Sequence, residues 1–265
     1  MNILTSITIP NLYLTQLESF FEHNWQFLQN DINSGYLELI VVTSAVKKPN
    51  QASWQSKFPK VKFVFTEHNR GFASTVNRGF EVSSGKWIGT VNDDVILTPN
   101  WISKLLSYTN KDTGSINPVI RDLDGNIESA GIKVLNIGKA LPITQLSNKK
   151  LSQVDATNAA CVLYSAQALE DVGYFDERFG SYLEDIDLSL RLTKAGWKNI
   201  VCRDVAVVHQ KHATSNSLGW RKNWLDAKNW WLVIIKNWTR DQLQNHFLGI
   251  IIERLRNIAG IFKSL

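Results

Sequence analysis

The chain has no uninterrupted apolar run close to the roughly 18 to 20 residues that span a bilayer. Its N-terminus leads into a predicted strand without a basic start, so we expect no signal peptide. It also lacks internal repeats and low-complexity tracts, which argues against repeat architectures and disordered arrays. These absences predict a soluble or peripheral protein of the cytosol, at most bound to the inner face of the cell membrane.

Cysteine is scarce as well. The two cysteines, Cys161 and Cys202, both lie in apolar strand-like runs and form no Cys-x-x-Cys pair. They therefore predict buried thiols and neither a disulfide nor a zinc site. No nucleic-acid-binding module or base-stacking motif is present, so nucleic acid is not an expected partner.

In the first hundred residues, predicted strands and helices alternate as they do in an α/β domain. Its 265 residues with 44% hydrophobic content fit one catalytic domain with an appendage. Strands are predicted near residues 3–9, 37–42, 61–65 and 86–91. The apolar face of the first helix comprises Leu14, Leu17, Phe21, Trp25 and Leu28. This order predicts a mainly parallel sheet with helices on both faces.

The middle of the chain has a different sequence pattern. Residues 115–164 are rich in short strand-like runs and turn signals such as Asp124-Gly125-Asn126. Within them, residues 139–154 have little periodicity and predict a loop that becomes ordered when a ligand binds.

A cluster of carboxylates stands at a predicted helix start near Glu184. Asp185 would lie beside unpaired backbone N–H groups, which stabilise a charged carboxylate, so it is expected to stay ionised and to accept a proton. Asp187 is spaced to reach Arg191 at i+4, and a plain helix ion pair is its expected role.

A second acidic site follows the predicted strand at residues 86–91, which runs into Asn92-Asp93-Asp94. Ligands of open α/β sheets bind outside the carboxyl ends of the strands, so a cation and a phosphorylated ligand are expected here. The alternative is an ordinary Asx turn before a helix that begins at Pro99.

Two further segments can complete such a site. Residues 69–79 place Asn69, Gly71 and Asn77 around a helix start, and a helix start can hold an anion. Downstream, the apolar strand at 205–208 ends in His209, whose imidazole together with carboxylates suits a divalent first-row ion. Taken alone, His209 also fits a capped histidine of the core.

Four parts of the chain, taken in this order, resemble the family 2 glycosyltransferases. They are residues 69–79, Asn92-Asp93-Asp94, Gly173-Tyr174-Phe175-Asp176-Glu177 with Glu184-Asp185-Ile186-Asp187, and His209. The resemblance runs from the first strand to roughly residue 215, and Asn92-Asp93-Asp94 takes the position of the family's DXD motif. It implies the GT-A fold, an α/β fold with a Rossmann-like, mainly parallel sheet flanked by helices, followed here by a C-terminal helical extension.

The resemblance also implies an inverting transfer of sugar from a nucleotide-diphosphate sugar to a hydroxyl of a glycan or lipid-linked acceptor. Asp185 would be the general base, and Asp94 with His209 would hold Mn²⁺ or Mg²⁺ against the diphosphate. The imidazole favours Mn²⁺. Tyr182 and Glu184 would contact the acceptor. The implied donor contacts are Pro10, Thr43, Asn69, Gly71, Asn77, Asn92 and Asp93.

The chain departs from the family pattern at three places, one of which is the run Asn11-Leu12-Tyr13-Leu14 that replaces the polar residues expected after the first strand. Thr43 and Ser44 stand where the family usually carries an aspartate that binds the uracil of the donor. Asn92 replaces the first aspartate of the acidic motif, which removes one charge from the metal site. The departure at Thr43 and Ser44 leaves the nucleotide of the donor open.

The predicted organisation is a glycosyltransferase domain over residues 1–215 and a basic, tryptophan-rich extension over 216–265. The domain divides into a nucleotide-sugar-binding half at 1–110 and an acceptor-binding and catalytic half at 111–215. From residue 220 onward there are eight Lys/Arg and three Asp/Glu, and their difference of +5 equals the net charge of the whole chain. Five of the ten tryptophans also lie there.

Helices are predicted at 220–238 and 241–262. Basic, aromatic, amphipathic helices suit an anionic membrane surface. Packing on the catalytic domain or on a second subunit, as in a homo-oligomer, is the alternative.

The sequence thus predicts a metal-dependent glycosyltransferase of bacterial surface polysaccharide or glycolipid synthesis. A catalytically silent GT-A domain that binds nucleotide sugar or glycan is the second hypothesis, supported by Thr43 and Asn92. A nucleotidyltransferase is disfavoured, because residues 10–14 contain neither the glycine nor the lysine of a phosphate loop.

Overall fold

The computed structural model describes residues 4–43, 51–210 and 220–263. Ile3, Ser44 and the predicted domain boundary at residue 215 lie outside these ranges. The first part of the chain contains β1 (Thr5–Asn11), α1 (Leu14–Asn33), β2 (Leu37–Thr43), α2 (Gln51–Lys57), β3 (Lys62–Phe65), α3 (Phe72–Glu81), β4 (Trp87–Val91), β5 (Val95–Ile96) and α4 (Trp101–Leu106).

The middle part contains β6 (Thr113–Arg121), β7 (Ile127–Ser129), β8 (Ile132–Leu135), β9 (Lys139–Pro142), β10 (Leu151–Gln153), β11 (Cys161–Ser165), α5 (Ala166–Val172), a 3₁₀ turn (Glu177–Phe179), α6 (Glu184–Lys194) and β12 (Lys198–His209). Two long helices, α7 (Trp220–Asn237) and α8 (Arg240–Lys263), end the described chain.

Among the described residues, ten strands form one sheet. Its main path runs β10, β12, β6, β11, β4, β1, β2, β3, with β5 paired to β12 and β7 to β6. The pairs β4/β1, β1/β2, β2/β3 and β6/β12 are parallel, while β11 is antiparallel to both of its neighbours. All seven residues of β2 are buried, as expected for a parallel strand covered on both faces. The predicted mainly parallel sheet flanked by helices is confirmed.

Helices cover both faces of the sheet, and strand β11 shows the division. Its Cys161 and Leu163 belong to the core under α1, whereas Val162 and Tyr164 belong to the core under α3, α5 and α6. Alternate side chains of a strand point to opposite faces, so these two apolar clusters lie on the two sides of one sheet. Both cysteines are buried free thiols, as predicted.

The element boundaries differ from the prediction at two places. Helix α4 begins at Trp101, two residues after Pro99. Residues 139–154 are not one loop, because β9 pairs with β8 and β10 pairs with β12. The hairpin of β8 and β9 is held by the C-terminal helices: the Trp238 indole donates to the Asn136 carbonyl at 2.6 Å, and Arg254 donates to the Gly138 carbonyl. These partners are distant in the chain, so local periodicity gave no sign of the strands.

The first C-terminal helix packs on α6. The predicted ion pair between Asp187 and Arg191 is confirmed, with Arg191 Nε 2.9 Å from Asp187 Oδ2. Asp187 is fully buried and also accepts from Lys236 Nζ at 2.8 Å and from Asn237 Nδ2 at 2.9 Å. Helix α7 is therefore tied to the start of α6. None of the helices in the described ranges is long and apolar enough to cross a bilayer.

Candidate active site

The carboxyl ends of three neighbouring parallel strands bring predicted donor residues together. Asp93 follows β4, and its Oδ2 accepts from the Asn11 side-chain amide at 2.7 Å. Asn11 ends β1, next to Pro10, and its Oδ1 accepts from Thr43 Oγ1, at the end of β2, at 3.2 Å. Asn11 was not predicted as a site residue, although its place at the end of β1 was the available signal.

Burial raises the pKa of Asp93 to about 7, and the neighbouring charge of Asp94 adds to this, while the hydrogen bond from Asn11 opposes it. Two adjacent carboxylates in a site of low polarity repel one another. The arrangement therefore favours a ligand that brings positive charge to this edge of the sheet.

His209 lies between two carboxylates. Its Nε2 is 3.1 Å from Asp94 Oδ1, and its Nδ1 is 3.2 Å from Glu128 Oε2. The end of β12 is brought here by its antiparallel pairing with β5, in which His209 is opposite Val95. Burial acts to lower the pKa of His209, but the hydrogen bonds and charges of Asp94 and Glu128 raise it to about 9. Glu128, on the three-residue strand β7, was not predicted.

The residues at this point fit a divalent ion. Across the described ranges, no three His, Cys, Asp or Glu side chains surround one point as a complete metal cluster. Two protein ligands are enough when substrate phosphates complete the coordination. Glu128 on the far nitrogen of His209 is the partner that commonly orients a histidine ligand. In the described structure Asn92 Oδ1 is buried and accepts no hydrogen bond, which leaves a further oxygen beside Asp94.

One short segment, residues 158–160, contacts both acidic sites. The Ala160 carbonyl accepts from the backbone amide of Asn92 at 2.9 Å. The preceding Ala159 amide donates to Asp185 Oδ2 at 3.2 Å. The predicted metal site and the predicted general base are thus held by adjacent residues of one backbone segment, although they are far apart in the sequence.

Asp185 occupies the start of α6 as predicted, and its Oδ1 accepts from the Ile186 amide at 2.8 Å. These backbone donors favour the charged form, but burial outweighs them and raises the pKa of Asp185. Burial and the charge of Asp185 raise the pKa of Glu184 well above its usual range. Burial therefore disfavours a charge on both carboxyl groups of this pair.

The start of α3 is occupied by protein groups. The Phe72 amide donates to Ser181 Oγ at 3.0 Å and the Ala73 amide to the Gly180 carbonyl at 2.8 Å. A Cβ on Gly71 would lie 2.6 Å from the Gly180 backbone, so glycine permits this close contact. The first amides of α3 therefore bind the loop before α6, where an anion was expected.

The two asparagines of this segment also have protein partners. Asn69 Oδ1 accepts from the Gly71 amide at 2.9 Å. Asn77 is buried, donates to the Phe175 carbonyl at 2.8 Å and accepts from the Phe175 amide at 3.1 Å. Their predicted roles in donor binding stay predictions, as does that of Gly71. Asn77 fixes Phe175 in the loop that leads to Asp185, and Asn69 fixes the turn before α3.

Tyr182 lies at the rim of this loop, three residues before Asp185. Its backbone and that of Leu183 are left-handed, with φ of 73° and 68°. The Lys222 ammonium of α7 lies 5.8 Å from the centre of the Tyr182 ring. The predicted acceptor residue Tyr182 thus stands beside Lys222 of α7, whereas Glu184 is buried.

The sheet with acidic residues at its carboxyl edge has the GT-A fold of glycosyltransferases. A mannosyltransferase from Pyrobaculum calidifontis, PcManGT, solved with GDP-Man and Mn²⁺, superposes with a TM-score of 0.66 at 13% identity, over 100% of this chain and 74% of that chain. The sequence profile described as Glycosyl transferase family 2 matches residues 26–173, more than half of the chain. The chain therefore belongs to glycosyl transferase family 2.

Curated relatives come from bacteria. An N-acetylglucosaminyl-diphospho-decaprenol L-rhamnosyltransferase of Mycobacterium tuberculosis is 29% identical over 189 residues, which cover 60% of this chain and 62% of the relative. The O-antigen biosynthesis protein RfbC of Myxococcus xanthus is 22% identical over 194 residues, 68% of this chain and 15% of the relative. The chain thus spans less than two thirds of the length of either.

Proposed function

We propose that this family 2 glycosyltransferase is an inverting, metal-dependent enzyme. It transfers a sugar from a nucleotide-diphosphate sugar to a hydroxyl of a glycan or lipid-linked acceptor during synthesis of a bacterial surface polysaccharide. The observation that carries the proposal is the double contact of residues 158–160, with the Asn92 amide on one side and the Asp185 carboxylate on the other. It supports a single site in which the diphosphate and the attacking hydroxyl meet.

Asp185 acts as the general base. Its two oxygens each accept from a backbone amide, which gives the carboxylate a defined direction. It takes the proton of the acceptor hydroxyl as that oxygen forms its bond to the anomeric carbon, while the nucleoside diphosphate leaves from the opposite face. A positioned base of this kind contributes about 10²- to 10⁴-fold to the rate.

Asp94 and His209 would hold the divalent ion, and Glu128 would orient the His209 ring. Bound there, the ion supplies positive charge to the leaving diphosphate. Asn11 and Thr43 fix Asp93 at the same edge, next to Pro10. Since Thr43 already donates to Asn11, recognition of the nucleotide base depends on other contacts than the usual aspartate.

Nucleotide binding gives the first test. A thermal-shift panel of UDP, GDP, CMP and dTDP, each with and without Mn²⁺, is expected to give a metal-dependent rise in melting temperature with one of them. At a hundredfold excess over Kd the rise should be roughly 5 °C or more. His209→Ala should abolish the metal-dependent part of the rise in melting temperature. His246→Ala is the control and should not, because it removes an imidazole of α8 that bonds Asn136 between β8 and β9. No shift with any nucleotide would favour a silent domain that binds glycan.

The proposal also includes binding of the C-terminal helices to a membrane surface. Four exposed apolar residues of α7, Trp220, Trp224, Trp231 and Ile235, recur at spacings that place them on one face, opposite the face that is packed on the catalytic half. Helix α8 adds its own exposed set: Leu243, Phe247, Leu248, Ile252, Leu255 and Ile258. This α7–α8 apolar surface is flanked by basic side chains such as Arg221 and Arg256. It suits an anionic bilayer, where a lipid-linked acceptor would be located.

Vesicle flotation checks this part. The protein is expected to float with phosphatidylglycerol vesicles, and much less with phosphatidylcholine vesicles, because both apolar burial and charge attraction are needed. Ile235→Glu combined with Phe247→Glu should lower the bound fraction about tenfold, because each change removes an apolar contact and adds repulsion. Ala52→Glu combined with Ser56→Glu, which adds the same two charges at exposed positions of α2, is the matched control. Equal binding of the control and the double variant would refute the membrane role.

A further inference from the structure

Three backbone carbonyls before the catalytic helix converge on one side chain of the C-terminal extension. The Asn229 amide on α7 donates to the carbonyls of Phe179 at 3.0 Å, Ser181 at 2.8 Å and Tyr182 at 2.7 Å. Asn229 is fully buried, and its two N–H hydrogens are shared among the three acceptors. The contact joins segments that are about 50 residues apart in the sequence.

The backbone that Asn229 holds is strained. Tyr182 and Leu183 both have left-handed φ values, 73° and 68°, and neither is a glycine. Side chains with a Cβ resist this region, so such residues persist only where the surroundings determine the conformation. Leu183 is also the residue that directly precedes the first turn of α6, where Asp185 stands. Any relaxation of this turn would change the direction of the Asp185 carboxylate.

Neighbouring contacts of α7 add to the same attachment. Lys228 Nζ donates to the Arg178 carbonyl at 2.9 Å, and Lys236 Nζ lies 2.6 Å from Asp176 Oδ2. Of these three side chains, Asn229 is the one that donates to the backbone of Tyr182, whose ring also lies near Lys222. The opposite side of the loop is fixed by α3, through the Phe72 amide on Ser181 Oγ.

We infer that Asn229 is a positioning residue of the transfer reaction. Its amide holds the left-handed turn at Tyr182 and Leu183, and this turn sets the orientation of Asp185 and of the acceptor residue Tyr182. Helix α7 is therefore a structural part of the active site, although it lies outside residues 26–173 that match the family profile. The inference rests on the proposed role of Asp185 and adds a residue that acts through it.

The kinetic test uses Asn229→Ala in the full chain, assayed well below its melting temperature. We expect kcat to fall about 10- to 100-fold because a small displacement of the base is costly, while KM for the donor stays within about twofold. Asn223→Ala is the matched control, because Asn223 is an amide on the same helix that donates to Gly260 on α8. A variant with parent kcat, or with an equal loss from the control, would overturn the inference.

Hydrogen exchange gives a readout that does not depend on activity. In Asn229→Ala the amides of residues 179–187 should exchange about tenfold faster or more, while those of β1 and β4 keep the parent rate. Unchanged exchange at 179–187 would overturn the inference by itself. If Asn229→Ala does not fold, Asn229→Gln, which displaces the amide by one methylene, must show the same local change.

The two proposals fail in different ways. If Asp185→Asn retains the parent rate, the proposed mechanism fails whatever Asn229 does. If Asp185→Asn is inactive while Asn229→Ala matches the parent in kcat and in exchange, only the positioning role is lost.

Discussion

Asp185→Asn is expected to lower kcat for sugar transfer by about 10³-fold, because the amide is nearly isosteric but cannot take the proton of the acceptor hydroxyl. Of the Ala159 and Ile186 amides that orient Asp185, one can still donate to the side-chain carbonyl oxygen, whereas the other would face the new NH₂ group, so a modest loss of stability is expected and the fold should be retained. Nucleotide-dependent thermal stabilisation should also be retained, because the predicted donor residues Pro10, Thr43 and Asp93 lie at the ends of β1, β2 and β4. The measurement is initial rate against acceptor concentration at saturating donor.

The pH dependence supplies an internal check on the same residue. Because burial raises the pKa of Asp185, kcat should be lost as pH falls through a midpoint above the ordinary aspartate value of about 3.9. The charged form is the active one, so activity rises with pH on this limb. Asp112→Asn, which changes a half-exposed carboxylate on the surface, is the control and should leave rate and profile unchanged. Parent-like turnover in Asp185→Asn would exclude it as the base.

Loss of the divalent ion is the second large effect. Treatment with EDTA is expected to reduce transfer about 10²-fold or more, with recovery on addition of Mn²⁺, because the leaving diphosphate loses its compensating charge. Asp94→Asn and His209→Ala should show the same loss, and Mn²⁺ should no longer restore activity. Glu128→Gln, which keeps the His209 ring but weakens its orientation, should weaken Mn²⁺ affinity about 10- to 100-fold.

Mn²⁺ titration in the presence of nucleotide distinguishes the roles of these residues. Glu128→Gln should regain most of the parent rate at high Mn²⁺, whereas His209→Ala should not. Full activity in EDTA, together with parent-like rates for Asp94→Asn and His209→Ala, would contradict the assignment of both as ligands.

Local patterns in the sequence predicted the parts of the fold that depend on them. Apolar strands bounded by turns gave β2 and β4, and the i+4 spacing of Asp187 and Arg191 gave their ion pair. The order of the motifs identified the glycosyltransferase family and its GT-A fold, which the family profile and the structural comparison confirm.

Long-range contacts account for what was missed. Glu128 lies on a strand of three residues, and only the pairing of β7 with β6 and of β12 with β6 brings it to His209. Asn229 contacts the turn at Tyr182 and Leu183 because α7 packs on α6, and local sequence patterns do not predict that contact. The helix start at Asp185 was predicted, but the direction of its pKa shift was not, because burial depends on the whole fold.

The most direct measurement is the transfer reaction itself. The protein would be incubated with Mn²⁺, sugar donors of the nucleotide that stabilises it, and a prenyl-diphosphate-linked sugar or a glycan as acceptor, and the anomeric configuration of the product would be determined by NMR. The account predicts a product of inverted configuration that is absent with Asp185→Asn. Retention of configuration, or nucleotide binding without transfer to any acceptor, would contradict it.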